Sequence, residues 1–212
     1  ARERLDAAGL TDCGIVLSND LDEHTIASIR AQGAQVNSWG VGTKLACAYD
    51  QPSLGGVYKL SATRMPGDER WTGRLKVSEQ SAKLTLPGVL DVRRYVWGDG
   101  KLAGDMVFDV NEPVNAEGVI IDPADILRQK RLGELSYRTL LAPLARDGAS
   151  VLSAEERSAT SARERTMAGL EELDESQKRL LNPHSYPVGL EEGLWHRRAR
   201  MASDLRGCRG VV

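Results

Sequence analysis

The sequence predicts an α/β fold in which a parallel strand–helix unit is followed by antiparallel β strands and then by a helical carboxyl-terminal segment. Short apolar runs alternate with a helical pattern in residues 1–55. Turn residues separate short strand-like runs in residues 56–122, and helix-start signals prevail in residues 123–212. We therefore expect three segments with these bounds.

The composition is typical of a globular protein. Hydrophobic residues make up 41% and charged residues 27% of the 212 residues, which excludes a wholly disordered chain and a membrane protein. The formal net charge of −2 gives no positive field that would favour nucleic acid or an anionic membrane surface, so we expect neither partner. The three cysteines are widely spaced and form no zinc-binding pair, and a cytoplasmic location is the simplest expectation.

The amino end predicts that the chain is part of a longer polypeptide. It opens without a methionine, on residues typical of the last turns of an amphipathic helix. Gly9 is placed to end that helix in the left-handed conformation.

Residues 1–55 continue as strand, helix, strand, loop and helix. The apolar run at 14–18 predicts a buried strand, and either Asp20 or Asp22 can cap the helix that follows and ends at Gly33. Residues 35–39 predict a second strand, which leads into a glycine-containing loop and a further helix. Because connections between strands of this kind are right-handed crossovers, the unit predicts a parallel sheet or a barrel.

Residues 56–122 predict antiparallel β structure. The strand candidates are residues 57–60, 74–77, 92–97 and 105–110. Asp99 and Gly100 predict a tight hairpin turn between the last two, because glycine readily supplies the positive φ that such turns require.

Residues 123–212 predict helices. Pro123 and Asp125 suit the first turn of a helix that continues to Lys130. Residues 153–156 have the spacing of a capping box and predict a helix toward Leu173. After a proline-containing break, a last helix is expected near residues 190–205.

The loop that follows the second strand is a candidate phosphate-binding loop. Gly40 and Gly42 let the backbone approach phosphate oxygens, the amides of Gly42, Thr43 and Lys44 can point at them, and the Thr43 hydroxyl can donate as well. The alternative is a tight turn between strand and helix that binds nothing.

Asn19 and Asp20 occupy the equivalent position after the first strand. Their side chains can bind sugar hydroxyls or hold a Mg²⁺ ion that arrives with a phosphorylated substrate. The alternative is a helix cap, and both roles can hold at once.

Several ordered motifs carry a family resemblance. They lie at residues 18–23, 39–45, 50–60, 76–79 and 83–88, and more loosely at 180–190. Together they resemble nicotinate phosphoribosyltransferases over essentially the whole chain.

The resemblance implies a reaction and a fold. The family transfers phosphoribose from phosphoribosyl pyrophosphate to nicotinate, forming nicotinate mononucleotide in NAD biosynthesis, with Mg²⁺ and with ATP as a co-substrate that is hydrolysed. Its fold implies that residues 1–55 are the end of an irregular α/β barrel of the type II phosphoribosyltransferases. The active site in this family often lies at a dimer interface, which implies a homodimer.

The resemblance also implies residue roles. It places Gly40, Gly42, Thr43 and Lys44 at the phosphate of the substrate, and it places Asn19 and Asp20 facing the ribose. No catalytic residue is expected in this segment.

The histidine that ATP phosphorylates in this family, and the nicotinate contacts, are expected in a preceding segment. For His24, His184 and His196 a surface or capping role is expected instead. We therefore expect the isolated chain to be inactive. Two alternatives stay open: a non-catalytic interaction or regulatory module derived from this fold, and a phosphoribosyltransferase for nicotinamide or another base.

Overall fold

The computed structural model describes residues 1–53, 55–77 and 84–207. They belong to two compact units, Ala1–Val57 and Tyr58–Val212. The motif ranges given above therefore include residues that lie outside the described ones, namely Leu54, Ser78, Glu79 and Lys83, and one of the three cysteines, Cys208, lies outside them as well.

The first unit contains the predicted alternation of strand and helix. Its elements are α1 (Arg2–Ala7), β1 (Val16–Ser18), α2 (Glu23–Ala31), β2 (Ser38–Gly40) and α3 (Thr43–Ala46). The predicted parallel pairing is confirmed, because β1 and β2 pair in parallel with Val16 opposite Ser38 and Ser18 opposite Gly40. The glycines predicted to follow two of the helices are confirmed as well, since Gly9 has φ 75° and Gly33 has φ 79°.

Little apolar surface is buried within this first unit. Among its described residues, Leu21 is the one buried hydrophobic residue, at 4% exposure. Val16 on β1 and Leu45 on α3 are 64% and 72% exposed. This exposure is unusual, because parallel strands are normally covered on both faces.

A six-stranded sheet forms the centre of the second unit. Its strands are β5 (Leu90–Val96), β6 (Leu102–Asp109), β7 (Val119–Ile121), β8 (Gln129–Arg131), β9 (Ser136–Thr139) and β12 (Val188–Glu191). They lie in the order β8-β7-β12-β6-β5-β9. Two small pairs lie outside this sheet: β3 (Ala62–Thr63) with β4 (Thr72–Gly73), and β10 (Ala145–Arg146) with β11 (Ala149–Ser150). Most strand contacts are antiparallel, but β12 runs parallel to β6.

The hairpin predicted at Asp99 and Gly100 is confirmed. It joins β5 to β6, and the amide of Trp97 donates to the carbonyl of Lys101 at 2.8 Å. Gly100 has φ 83°, and the Asp99 carboxylate accepts from the amide of Lys101 at 3.0 Å. The turn therefore uses both residues as the sequence indicates.

The strands predicted at residues 57–60 and 74–77 are wrong. Both stretches are irregular, and Val57 and Tyr58 are 85% and 99% exposed. Residues 74–77 make isolated backbone hydrogen bonds, from the amide of Arg74 to the carbonyl of Ser61 at 2.7 Å and from the amide of Thr85 to the carbonyl of Lys76 at 3.4 Å. Strand-forming residues become a strand only when a neighbour continues such bonds into a ladder, and among the described residues neither stretch forms one.

The helix predicted from Pro123 is also wrong, and residues 123–150 carry strands β8 to β11 instead. Asp122 accepts from the amide of Ala124 at 2.8 Å, and Asp125 accepts from the amide of Leu127 at 3.0 Å. These carboxylates stabilise turns rather than a helix start, so the chain reverses and β8 pairs antiparallel with β7.

The later helices follow the prediction more closely. The capping-box contacts form, with the amide of Ser153 donating to Glu156 at 2.8 Å, but α4 (Ala159–Glu172) begins later, with Ser158 as its cap. A short 3-10 helix, Glu175–Gln177, precedes the proline-containing segment that separates the last two helices. The last predicted helix is confirmed as α5 (Glu192–Leu205).

The core of the second unit lies on the central strands and beneath α5. Its sheet cluster consists of Tyr95, Ala103, Met106, Phe108, Ile120 and Leu132. Leu194 and Ala202 of α5 are also buried. In the part of the chain that the structure describes, no helix has the length and apolar character needed to cross a membrane.

Candidate functional site

The structure brings the two candidate loops to the same edge of the first unit. Ser18 and Gly40 are opposite each other at the carboxyl ends of β1 and β2. Asn19 and Asp20 follow one strand, and residues 41–44 follow the other. Neighbouring parallel strands thus present residues Asn19–Asp20 beside residues Gly40–Lys44, at an edge where ligands commonly bind in such folds. We name these segments the ribose loop and the phosphate loop after their expected roles.

Gly40 has a structural role that the sequence did not reveal. A Cβ atom at this position would lie 2.9 Å from the Cβ of Ser18. Glycine therefore lets the two strand ends approach closely, whether or not a ligand is present.

Gly42 and Thr43 present an open backbone surface. A Cβ atom at Gly42 would meet no atom within 4 Å, and Thr43 is exposed at the start of α3. Within the described residues, no acceptor receives a hydrogen bond from the amides of Gly42, Thr43 or Lys44. These amides are available to an external oxygen atom.

The side chain of Lys44 is already engaged. Its Nζ lies 2.5 Å from Oδ2 of Asp22 and 5.4 Å from the ring centre of Tyr49. The hydrogen bond from the Lys44 ammonium holds the pKa of the Asp22 carboxyl well below its usual range, and the same contact raises the pKa of Lys44. The contribution of Lys44 to a phosphate site would therefore come from its backbone amide.

Asp22 also caps α2, so the cap alternative is wrong for Asn19 and Asp20. The amide of Thr25 donates to Oδ1 of Asp22 at 2.7 Å. Asn19 and Asp20 are exposed, with φ of 95° and 48°. Two consecutive left-handed residues are strained, and asparagine and aspartate tolerate this conformation better than most residues.

The contact between Asp22 and Lys44 is a feature of the candidate site that the sequence does not predict. The sequence indicates Asp22 as a possible cap and Lys44 as part of the phosphate loop, but it does not indicate that the two side chains pair. The available signal was an acidic and a basic side chain that follow neighbouring parallel strands.

The described residues supply no metal centre of their own. No group of three or more His, Cys, Asp or Glu side chains among residues 1–53, 55–77 and 84–207 is arranged to hold a metal ion. A Mg²⁺ ion at this edge would need most of its oxygen ligands from a substrate, and Asp20 could add one carboxylate.

His24 lies on α2, four residues after Asp20, whereas His184 and His196 are far from both loops in sequence. His24 is exposed, and Nε2 of His184 lies 3.3 Å from Nη2 of Arg179. The ring of His196 packs edge-on against Trp195, with 5.1 Å between ring centres.

Comparison with known proteins gives consistent similarities. Residues 91–198 match the family model described as the nicotinate phosphoribosyltransferase C-terminal domain. The nicotinate phosphoribosyltransferase of Bacillus subtilis is 34% identical over 209 residues, which cover 97% of this chain and 42% of the relative. The human protein of the same name is 40% identical over 104 residues, covering 49% of this chain and 18% of the relative.

A solved structure gives the same result. The crystal structure of human nicotinic acid phosphoribosyltransferase superposes with a TM-score of 0.57 and 26% identity, covering 94% of this chain and 36% of that chain. The chain thus spans about two fifths of the length of the Bacillus subtilis relative. Because the family model matches half of the chain and the similarity to the Bacillus subtilis protein extends over nearly all of it, this chain belongs to the nicotinate phosphoribosyltransferase family.

Proposed function

We propose that this chain is the carboxyl-terminal portion of a cytoplasmic nicotinate phosphoribosyltransferase. The enzyme would form nicotinate mononucleotide from nicotinate and phosphoribosyl pyrophosphate in NAD biosynthesis, with coupled ATP hydrolysis. The observation that carries this proposal is the similarity to the Bacillus subtilis enzyme over 97% of the chain.

Residues 1–55 would form the end of an α/β barrel. The parallel pairing of β1 and β2 supports this, as do their exposed apolar residues, since further strands and helices of a barrel would cover them. The rest of the barrel would come from residues that precede this chain.

The two loops would bind opposite ends of the ribose 5-phosphate group. The amides of Gly42, Thr43 and Lys44 and the Thr43 hydroxyl would hold the phosphate, with Gly40 keeping the strand ends close. Asn19 and Asp20 would bind ribose hydroxyls. Displacement of diphosphate develops positive charge on the sugar, so the enzyme gains rate by fixing the donor in a reactive orientation.

The remaining components of the reaction would come largely from outside this chain. Mg²⁺ would arrive with the diphosphate of the donor, since the described residues offer no complete set of ligands. The ATP site and the acceptor contacts would lie in the preceding segment. A homodimer would complete the active site.

The test is an assay of the full product of the gene that encodes this chain. Purified full gene product with nicotinate, phosphoribosyl pyrophosphate, ATP and Mg²⁺ should form nicotinate mononucleotide, measured by chromatography. The isolated chain should form none, and adding the remaining segment as a separate polypeptide should restore synthesis.

Two results would contradict the proposal. A well-folded full gene product without phosphoribosyl transfer would favour a non-catalytic interaction or regulatory module. Preferential use of nicotinamide or another base in a competition assay would show a phosphoribosyltransferase whose acceptor is not nicotinate.

A further inference from the structure

One side-chain contact ties the residue that caps α2, just after the ribose loop, to the phosphate loop. Asp22 follows the ribose loop after one intervening residue, and Lys44 is the last residue of the phosphate loop. The ion pair between them connects residues that are 22 positions apart in sequence. It is thus a direct link between the segments that follow β1 and β2.

Asp22 is held in one orientation because each of its carboxylate oxygens has a different partner. Oδ1 accepts from the amide of Thr25 at 2.7 Å, and Oδ2 lies 2.5 Å from Nζ of Lys44. The side chains of Asp22 and Lys44 are 19% and 32% exposed, so water screens their attraction less than at an open surface. The ring of Tyr49 provides a further contact to the ammonium at 5.4 Å.

The pair leaves the backbone of the phosphate loop free. The ammonium of Lys44 is directed to Asp22, whereas the Lys44 amide has no acceptor among the described residues. The side chain and the amide of the same residue can therefore have different functions.

The geometry points to Asp22 and Lys44 as a positioning pair that fixes the ribose loop relative to the phosphate loop and thereby sets the affinity for the phosphoribosyl donor. This inference rests on the proposed function. The donor must be held at its ribose and at its 5-phosphate together, and loops that are already fixed lose less conformational entropy when it binds. Neither side chain needs to touch the substrate for this effect.

Two substitutions in the full gene product test the pair from its two sides. Lys44→Met removes the ammonium but keeps the backbone amide, and Asp22→Asn removes the charge but keeps an oxygen that can cap α2. We expect the KM for phosphoribosyl pyrophosphate to rise about tenfold in each variant, since displacing a positioned group by about an ångström is enough for effects of this size or larger. The KM for nicotinate should stay unchanged, and Lys44→Arg should restore most of the donor affinity.

A matched control breaks another ion pair in the same unit. Arg2 and Asp6 pair within α1 at 2.7 Å, and Asp6→Asn should leave the KM for the donor unchanged. Thermal unfolding of every variant separates a positioning effect from a general loss of structure.

The proposal is overturned if the KM for the donor is unchanged in folded Lys44→Met and Asp22→Asn enzymes. It is also overturned if both variants fail to fold, or if they lose only kcat and thermal stability, because the pair would then be purely structural. An inactive unmodified gene product would instead contradict the proposed function, so the two failures are distinguishable.

Discussion

Arg197 on α5 donates from Nη2 to a carboxylate oxygen of Asp109 on β6 at 2.6 Å, and this contact attaches the last helix to the sheet. The Asp109 side chain is 5% exposed and that of Arg197 is 25% exposed. The same guanidinium reaches the carbonyl of Pro87 at 3.2 Å. One arginine thus connects a helix, a strand and the segment that leads into the sheet.

Asp109→Asn should therefore lower the free energy of unfolding by about 3 kcal/mol, because it leaves the charge of a partly buried arginine without its main partner. Denaturant unfolding measures the change. The control is Glu112→Gln, which removes another partner of Arg197, at 3.2 Å and with a side chain that is 59% exposed. That change should lower stability by less than about 1 kcal/mol, and equal losses in the two variants would refute the importance of burial.

Gly88→Ala should destabilise the second unit by about 3 kcal/mol or more, since both strain and overpacking contribute. Gly88 has φ 117°, and a Cβ atom there would lie 2.1 Å from Oδ2 of Asp109. Gly100→Ala separates the two effects, because Gly100 has φ 83° but open space around its Cβ position. That control should lose about 1 kcal/mol by strain alone. Denaturant unfolding of both variants tests the difference, and similar losses would contradict the predicted clash.

Tyr186→Phe should alter how stability depends on pH. The Tyr186 hydroxyl donates to Oδ1 of Asp105 at 2.7 Å, and burial together with this bond raises the pKa of Tyr186 well above its usual value. Above about pH 10 the unfolded chain loses the tyrosine proton while the folded protein keeps it, so the stability from this group falls as pH rises, by up to about 1.4 kcal/mol per pH unit.

Unfolding free energies at pH 8 and pH 11 test this expectation. Tyr186→Phe should be less stable than the unmodified protein by about 1 to 2 kcal/mol at pH 8, because Asp105 loses a hydrogen bond. The difference should shrink at pH 11. Tyr58→Phe is the control, since Tyr58 is 99% exposed, and it should be neutral at both pH values. If the difference in unfolding free energy between the unmodified protein and Tyr186→Phe were the same at both pH values, the raised pKa of Tyr186 would be contradicted.

Thr43→Ala should weaken binding of nicotinate mononucleotide to the full gene product by about 1.5 to 3 kcal/mol, the usual range when a hydrogen bond to a charged group is lost. Thr43→Ser keeps the hydroxyl and should retain most of the affinity. Gly42→Val should weaken binding further, because a branched side chain would occupy the space through which the phosphate approaches. Calorimetric titration measures all three, and unchanged affinity in both Thr43→Ala and Gly42→Val would remove the phosphate assignment.

Local signals in the sequence predicted the parts of the fold that local chemistry decides. Asp99 and Gly100 predicted the hairpin because the turn depends on their own backbone preferences. Pro123 and Asp125 misled for the same reason, since the residues suit a helix start equally well until β7 offers β8 a partner. The central position of β12 could not be predicted, because it depends on contacts with residues more than 60 positions away in sequence.

The candidate site, too, is predicted by the sequence only where local signals decide its structure. The sequence predicted that Thr43 and Asp20 would follow neighbouring strands, because strand order and direction follow from the alternating pattern. It did not predict that Gly40 is needed for close approach to Ser18, or that Lys44 pairs with Asp22. Both features depend on the distance between two segments that are far apart in sequence, and that distance is set only when β1 and β2 pair.

The insertion of β12 between β6 and β7 has a consequence for the synthesis of the protein on the ribosome. Until residues 188–191 have been made, β6 and β7 lack the strand that joins them, and the nascent chain can form only the β9-β5-β6 and β7-β8 portions of the sheet. Both portions would expose open strand edges during that interval, a state that favours association with other chains. Completion of the sheet therefore waits until residues 188–191 have been synthesised, and a stop codon shortly before Val188 should yield an insoluble product rather than a smaller folded one.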